Sequence, residues 1–400
     1  MNAAQKRVVV TLGFCGLVSA ADNWFVSPAL PAIAQALSVL PSMAAIVLSA
    51  YLVPYGLLQP VCGAIGDAVG RLRLLRIIVM GLAISTVVCA FAPTLEALIA
   101  ARILTGCFAA GIISVSQALV GDTVAPSERA GAVGILMGIT FAGQGLSAGL
   151  GGILCDLVGW RAAFVAFGVL GLLAWAGLWR LPRGEARAEG TAATAPLSPL
   201  AAVSDFLGNA VRTFFGRGRA VFLTACSTGI IYLGVYGFMG TFLAERCGLS
   251  STQAGLLMMF YGVACLVGGA ISGRIGARSG LARIIQVGEV SGLGSVALLG
   301  VATLTGSWVP ALGSAALLGL GYILVQPTLV SLSMDADPTQ TGLCTGLVGL
   351  GVFAGGGVGS MLGQLALGAG GYAALWAVVG VALAAQVVLS TKPLARWSRQ

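Results

Sequence analysis

Of 400 residues, 58% are apolar and only 8% are charged, with 60 glycines and no histidine. Ordinary soluble domains carry about a quarter charged residues, so this composition demands a bilayer rather than water. The net charge of +8 is too dispersed for a nucleic-acid surface, the missing histidines remove the commonest proton shuttle and metal ligand together, and nine cysteines without a CxxC pair read as packing residues.

Cutting the chain at its polar breaks predicts twelve helices, at 8–35, 43–65, 73–92, 95–120, 130–154, 160–181, 219–244, 252–274, 281–304, 309–333, 341–366 and 371–390. Each is about long enough for a hydrocarbon core of roughly 30 Å. Lys6 and Arg7 ahead of the first run resemble the head of a secretory signal. Asp22 inside that run and the spans that follow predict a retained helix instead. With the N-terminus placed in the cytoplasm, 18 of the 21 Lys and Arg fall on that side, the exceptions being Arg102, Arg161 and Arg246. The positive-inside rule then predicts cytoplasmic termini, in the inner membrane of a bacterial cell.

One long break, 182–218, separates residues 1–181 from 219–400 and predicts two six-helix bundles joined by a cytoplasmic loop. Its first part, "GEARAEGTAATAPLSPL", reads as a flexible linker. Its second, "FLGNAVRTFFGRGR", reads as a short amphipathic helix on the inner leaflet. The halves repeat. Gly63-Ala-Ile and Gly70 align with Gly269-Ala-Ile and Gly276, and "PSERAGAVGILMGITFAGQG" from Pro126 aligns with "PTQTGLCTGLVGLGVFAGGG" from Pro338. A six-helix unit duplicated in parallel is a transporter signature, with the substrate site between halves that rock against each other. The expected fold is therefore an all-α membrane protein of twelve transmembrane helices in two pseudo-repeat bundles.

At these residues the chain resembles the major facilitator superfamily. Gly63, Asp67, Gly70 and Arg71 match the family's signature between helices 2 and 3, with Ala68 and Leu72 replacing basic residues. The resemblance implies a cytoplasmic gate. Asp67 would face the helix-11 N-terminus near Thr341 and Gly342, where a helix dipole favours an acid, and Arg71 would pair with Asp122. In "LEALIAARILTGCFAAGI", Arg102 and Gly106 match a second motif of the family. An arginine inside a span costs about 2.5–3.5 kcal/mol on insertion scales, so it needs a partner. Asp22 lies about 22 Å up helix 1 and Arg102 about 12 Å down helix 4, depths that roughly coincide. The fold would place both helices on the central cavity, and the two residues are the expected proton-coupling pair.

Helix 5 resembles the antiporter motif through Gly134, Gly143, Gly151 and Gly152, although Ser147-Ala148 stands where Gly-Pro is expected. Helix 11 carries a stricter ladder, Gly351, Gly355, Gly359 and Gly363, of the kind that lets helices approach closely. "ADNWFVSPALPAIAQAL" resembles the helix-1 signature of the twelve-span drug:proton antiporters, and "GWRAAF" resembles the start of their helix 6. Candidate cavity residues are Asn23, Tyr51, Tyr55, Gln59, Gln117, Gln144, Tyr232, Tyr236 and Gln326, aromatic walls with a few polar points. Packing aromatics are an equal reading of each. Glu289 is a further acid inside a span, but the resemblance places helix 9 at the periphery, against a role in the cavity.

The expected function is proton-coupled export of a small hydrophobic or amphipathic molecule by alternating access. The alternative is a symporter or uniporter of the same fold for a metabolite or lipid. An intramembrane enzyme is disfavoured by the absence of His, HExxH, GxSxG and paired acids at helical spacing. No cofactor or metal is expected beyond the proton gradient. Expected partners are a small-molecule substrate, protons and the lipid bilayer, without nucleic acid, for a monomeric protein.

Overall fold

The computed structural model describes residues 1–125, 129–181, 208–337 and 341–397, and among them every regular element is helical. Helices α1 (Ala3–Trp24), α2 (Val26–Ala36), α3 (Pro41–Ala44), α4 (Ile46–Val69), α5 (Arg71–Ala90), α6 (Leu95–Ala109), α7 (Ile112–Thr123), α8 (Arg129–Val158) and α9 (Trp160–Trp179) form the N-terminal half. A short helix α10 at 208–215 leads into α11 (Arg219–Thr228), a π turn (Gly229–Leu233), α12 (Gly234–Cys247), α13 (Ser251–Ser279), α14 (Leu281–Thr305), α15 (Trp308–Met334) and α16 (Thr341–Trp397). Among the described residues ten helices are long and apolar enough to cross a membrane, or eleven if α1 and α2, bent by 42°, form one span. Leucines and valines such as Leu173, Leu365, Val381 and Val388 are exposed on the outside, where lipid replaces a core.

The α1–α2 break has a local cause. Pro28 lacks an N–H and its ring crowds the carbonyl four residues back, which is that of Trp24, where α1 ends. Polar caps start other helices: Thr94 Oγ1 accepts from Ala97 N at 3.3 Å ahead of α6, and Ser307 Oγ from Val309 N at 3.3 Å ahead of α15.

Helix α16 folds back on itself. Its backbone leaves helical geometry at Gly370 and Gly371, the latter with φ 67°. On either side of that break, Gly355 packs on Cys226 while Gln386 bonds to Thr228, so both arms meet the same turn of α11. In a straight helix those two positions would be about 46 Å apart. Gly159, with φ 89°, makes the matching break between α8 and α9, and the pair Gly159/Gly371 keeps the 212-residue offset of Pro126/Pro338.

The earlier part of the repeat has a different register from the one its sequence suggests. Gly70 (φ 92°) separates α4 from α5, and its structural counterpart is Gly280 (φ 79°), between α13 and α14. Ser38 and Gly248, both left-handed, and the helix starts Pro41 and Ser251 keep the same offset of 210. Gly63 thus corresponds to Gly273, not Gly269, and Gly70 to Gly280, not Gly276. The 206-residue alignment slips by four positions, about one helical turn, which leaves every residue on nearly the same face.

Between the halves the most extensive packing is α8 on α13 and α4 on α16, followed by α2 on α12. The α8–α13 seam is backbone on backbone. A Cβ on Gly145 would lie 2.8 Å from Gly262 Cα, and a Cβ on Gly152 would strike Ser251 O. Of the helix-5 glycines, Gly143 packs on Leu17 and Gly151 on Phe25, whereas Gly134 faces open space. Gly351, Gly355, Gly359 and Gly363 pack in turn on Cys226, Cys226, Ile230 and Phe238.

Candidate functional site

Three consecutive residues at the end of α1 divide their attention between the halves. Asp22 turns into its own half, where Arg102 Nη1 on α6 donates to its Oδ2 at 2.8 Å and Thr86 Oγ1 on α5 donates to its Oδ1 at 2.8 Å. Arg102 is fully buried and Asp22 is 1% exposed. The guanidinium lies 4.4 Å from the Tyr51 ring centroid and 5.9 Å from that of Phe164. Its Nε and Nη2 have no hydrogen-bond partner, so ring faces stand in for acceptors. Tyr51 is held in turn by its hydroxyl, which donates to Ser19 O at 3.1 Å. The pair therefore sits among α1, α4, α5, α6 and α9, inside the N-terminal half.

Trp24, two residues on, turns to the other half. Its ring meets Tyr236 edge-on at 4.6 Å and Tyr261 at 6.4 Å. Tyr236 and Tyr261 are 4.3 Å apart, and Tyr322 lies 6.2 Å beyond Tyr261. Gln144 Nε2 on α8 reaches Tyr261 Oη at 3.4 Å. Tyr55 meets Phe353 on α16 at 4.5 Å. Asn23 Oδ1 and Gln59 Oε1 are buried here without partners. The result is a wall of aromatic rings with a few amide groups, built from both halves and closed in this state.

Other candidates are placed elsewhere. Tyr232 stands at the edge of the wall, its ring 6.4 Å from Tyr322, while its hydroxyl donates to Gly288 O on α14 at 2.8 Å, into the C-terminal half. The π turn spends an extra residue, so Tyr232 and Tyr236 no longer share the face that an i, i+4 spacing gives in an α-helix. Gln117 bonds Met137 Sδ at 3.0 Å within its own half, and Gln326 is half-buried beside the exposed Pro327. Arg71 pairs with Asp122 and donates to Ala118 O at 2.9 Å. The Asp67 and Thr341 side chains, and Gly342, lie outside the described residues.

Sequence reasoning passed over several contacts that join the halves. Ser27 Oγ donates to Tyr236 O and Gly237 O at 3.2 and 3.0 Å, and Ser49 Oγ to Gly357 O at 2.9 Å. Asp156, near the end of α8, accepts from Thr252 N at 2.7 Å in the first turn of α13. An acid at that helix end is favoured by the dipole. Arg71–Asp122 and Asp156–Thr252 thus mark opposite ends of the molecule. Trp24 and Asp156 lay in view as a polar-flanked tryptophan and an acid at a span's end, but Thr86 carried no signal at all.

The sequence profile described as the Major Facilitator Superfamily matches residues 12–360. The chain belongs to this superfamily. That family is one of integral membrane transporters, not of enzymes. Among curated relatives it is 25% identical over 331 residues to the Bacillus subtilis MFS-type transporter YdgK, covering 81% of this chain and 80% of that one. It is 29% identical over 163 residues to the puromycin resistance protein pur8 of Streptomyces alboniger. There the match spans 40% of this chain and 32% of the relative; for an Aspergillus terreus MFS-type transporter the relative's share is 28%. The fold is shared with a D-xylose–proton symporter at TM-score 0.76 and 16% identity, covering 96% of this chain and 97% of that chain. It is also shared with the nucleoside transporter NupG at TM-score 0.72 and 14% identity, over 98% of each.

Proposed function

We propose that this transporter is a proton-coupled exporter, exchanging protons for a small hydrophobic or amphipathic molecule by alternating access. Residues 1–181 and 219–400 are the two moving halves, joined by 182–218, in a bacterial inner membrane with both termini in the cytoplasm. The observation that carries this reading is the sequence Asp22-Asn23-Trp24. One residue holds a buried ion pair and the next but one contacts the opposite half.

Protonation of Asp22 forms an O–H bond on the carboxylate and removes the charge that Arg102 binds. The α1 backbone is common to both contacts: Arg102 Nη1 lies 3.4 Å from Asp22 O. Loosening the pair therefore frees α1 to move Asn23 and Trp24 against Tyr236 and Tyr261. The aromatic wall suits a bulky apolar solute, with Gln144, Asn23 and Gln59 to orient it. An arginine side chain does not give up its proton in proteins, so the proton has to cycle on the acid. The resistance function in the name of pur8 supports export.

Symport or uniport is the second reading, favoured by one feature. Helix α8 runs straight through Ser147-Ala148, without the proline that the antiporter motif puts there. Proteoliposomes with an entrapped pH dye separate the readings, using puromycin, other lipophilic cations and organic acids as probes. Antiport moves protons against the solute, symport moves them with it, and a uniporter moves none.

A further inference from the structure

Glu289, on α14, is fully buried in the C-terminal half, far from any role in the pair above. Its carboxyl is held by neutral groups. Ser390 Oγ lies 2.9 Å from Oε1 and 3.0 Å from Oε2, and Gln386 Nε2 lies 3.1 Å from Oε1. The same Gln386 amide nitrogen donates to Thr228 Oγ1 on α11 at 3.0 Å.

Facing this carboxyl from α16 are Gln386 and Ser390. From α11 and its π turn come Thr228 and Tyr232, whose hydroxyl is committed to Gly288 O. From α15, Gly321, Leu324 and Val325 crowd the neighbouring Gly288, with no ionisable group. On α14 itself the nearest cation in sequence is Arg283, exposed and bonded to Gln286. Among the described residues no Lys or Arg pairs with Glu289.

We infer that Glu289 is a second proton-binding site of this transporter, holding one exchangeable proton between its Oε2 and Ser390 Oγ. A lone carboxylate taken out of water is strongly disfavoured, and neutral donors offset that only in part. Both its oxygens, at 2.9 and 3.0 Å, are also within hydrogen-bond reach of one hydroxyl that has a single proton to give. A carboxylic acid resolves that geometry. Oε2–H donates to Ser390 Oγ, Ser390 Oγ–H donates to Oε1, and Gln386 adds a second bond to Oε1. Loading the site forms the Oε2–H bond, and unloading returns that proton to water. The link through Gln386 to Thr228 ends one turn before Tyr232, on the helix that carries Tyr236 to the interhalf wall. The proton's occupancy is thereby connected to the packing of α11 against the second arm of α16.

Infrared spectroscopy of the protein in liposomes tests this without any substrate. At neutral pH the wild type should show a carboxylic-acid C=O band that shifts on transfer to deuterium oxide, and Glu289→Gln should lack it. Ser390→Ala should shift the band without removing it, which also covers the case of a poorly folded Glu289→Gln. Asp22→Asn should leave the band in place, so failure of the Asp22 reading would not disturb this one. A Glu289→Gln spectrum identical to wild type, a band unmoved by Ser390→Ala, or a band that never exchanges would each overturn the assignment.

Discussion

Adding one methyl group to the α8–α13 seam should unbalance the two conformational states. In Gly145→Ala the new Cβ would start 2.8 Å from Gly262 Cα and 3.3 Å from its carbonyl carbon. Carbon atoms rest at about 3.5–4.0 Å, so the helices must part by roughly 0.7–1.2 Å or bend. Overpacking of this kind costs about 1–3 kcal/mol. Alanine is otherwise the better helix former, by about 0.8–1.0 kcal/mol, and that gain applies in both states. Only the state with a closed seam bears the clash. Its population relative to the open alternative should therefore fall by roughly 5- to 150-fold. Nitroxides at the exposed Leu157 and Leu304, one on each half, report this in a background lacking the nine native cysteines. Pulsed electron spin resonance should show the distance distribution moving toward longer separations. An unchanged distribution, in a protein that still folds, would refute the claim that this seam closes and opens as a unit.

Asp156→Asn should act in the same direction but more weakly, by about 0.3–1 kcal/mol and up to roughly 2 kcal/mol, read by the same labels. Arg102→Ala leaves Asp22 buried with only Thr86, and should lower stability by about 3–5 kcal/mol. Adding Asp22→Asn should recover part of that loss, which unfolding in detergent for the single and double variants can measure. Trp24→Ala removes the ring that bridges to Tyr236 and Tyr261, and should weaken binding of an aromatic probe while leaving the thermal stability of the N-terminal half nearly unchanged. Arg71→Ala breaks a pair in which Asp122 is 44% exposed, so its effect on stability should stay within about 0–1 kcal/mol.

The spans were legible because a bilayer imposes length and hydropathy directly, and the fold-back of α16 because Gly370-Gly371 interrupts an apolar run too long to cross once. The Asp22–Arg102 pair was legible for a similar reason, since two unlike charges at matched depth in apolar helices have few other partners. What the sequence concealed was direction. Thr86 is one of many small polar residues in spans, and only the packing of α5 turns it onto Asp22. Tyr232 turns its hydroxyl to Gly288 at the edge of the wall, and the π turn that sets its angle cannot be read from Gly229-Ile-Ile-Tyr-Leu. The repeat register slipped by one turn because Gly-Ala-Ile occurs in both halves, while the positive-φ glycines that fix the register look like any other glycine in a chain of 60.

The most direct test of the account is proton flux through Asp22→Asn. Wild-type proteoliposomes holding a pH gradient should accumulate a transported probe uphill while protons leave in exchange. The Asn variant keeps the amide oxygen for Arg102 but cannot carry a proton. It should insert, fold and exchange probe at equal concentrations, yet neither accumulate it nor move protons. Uphill accumulation by Asp22→Asn at the wild-type rate would contradict the account.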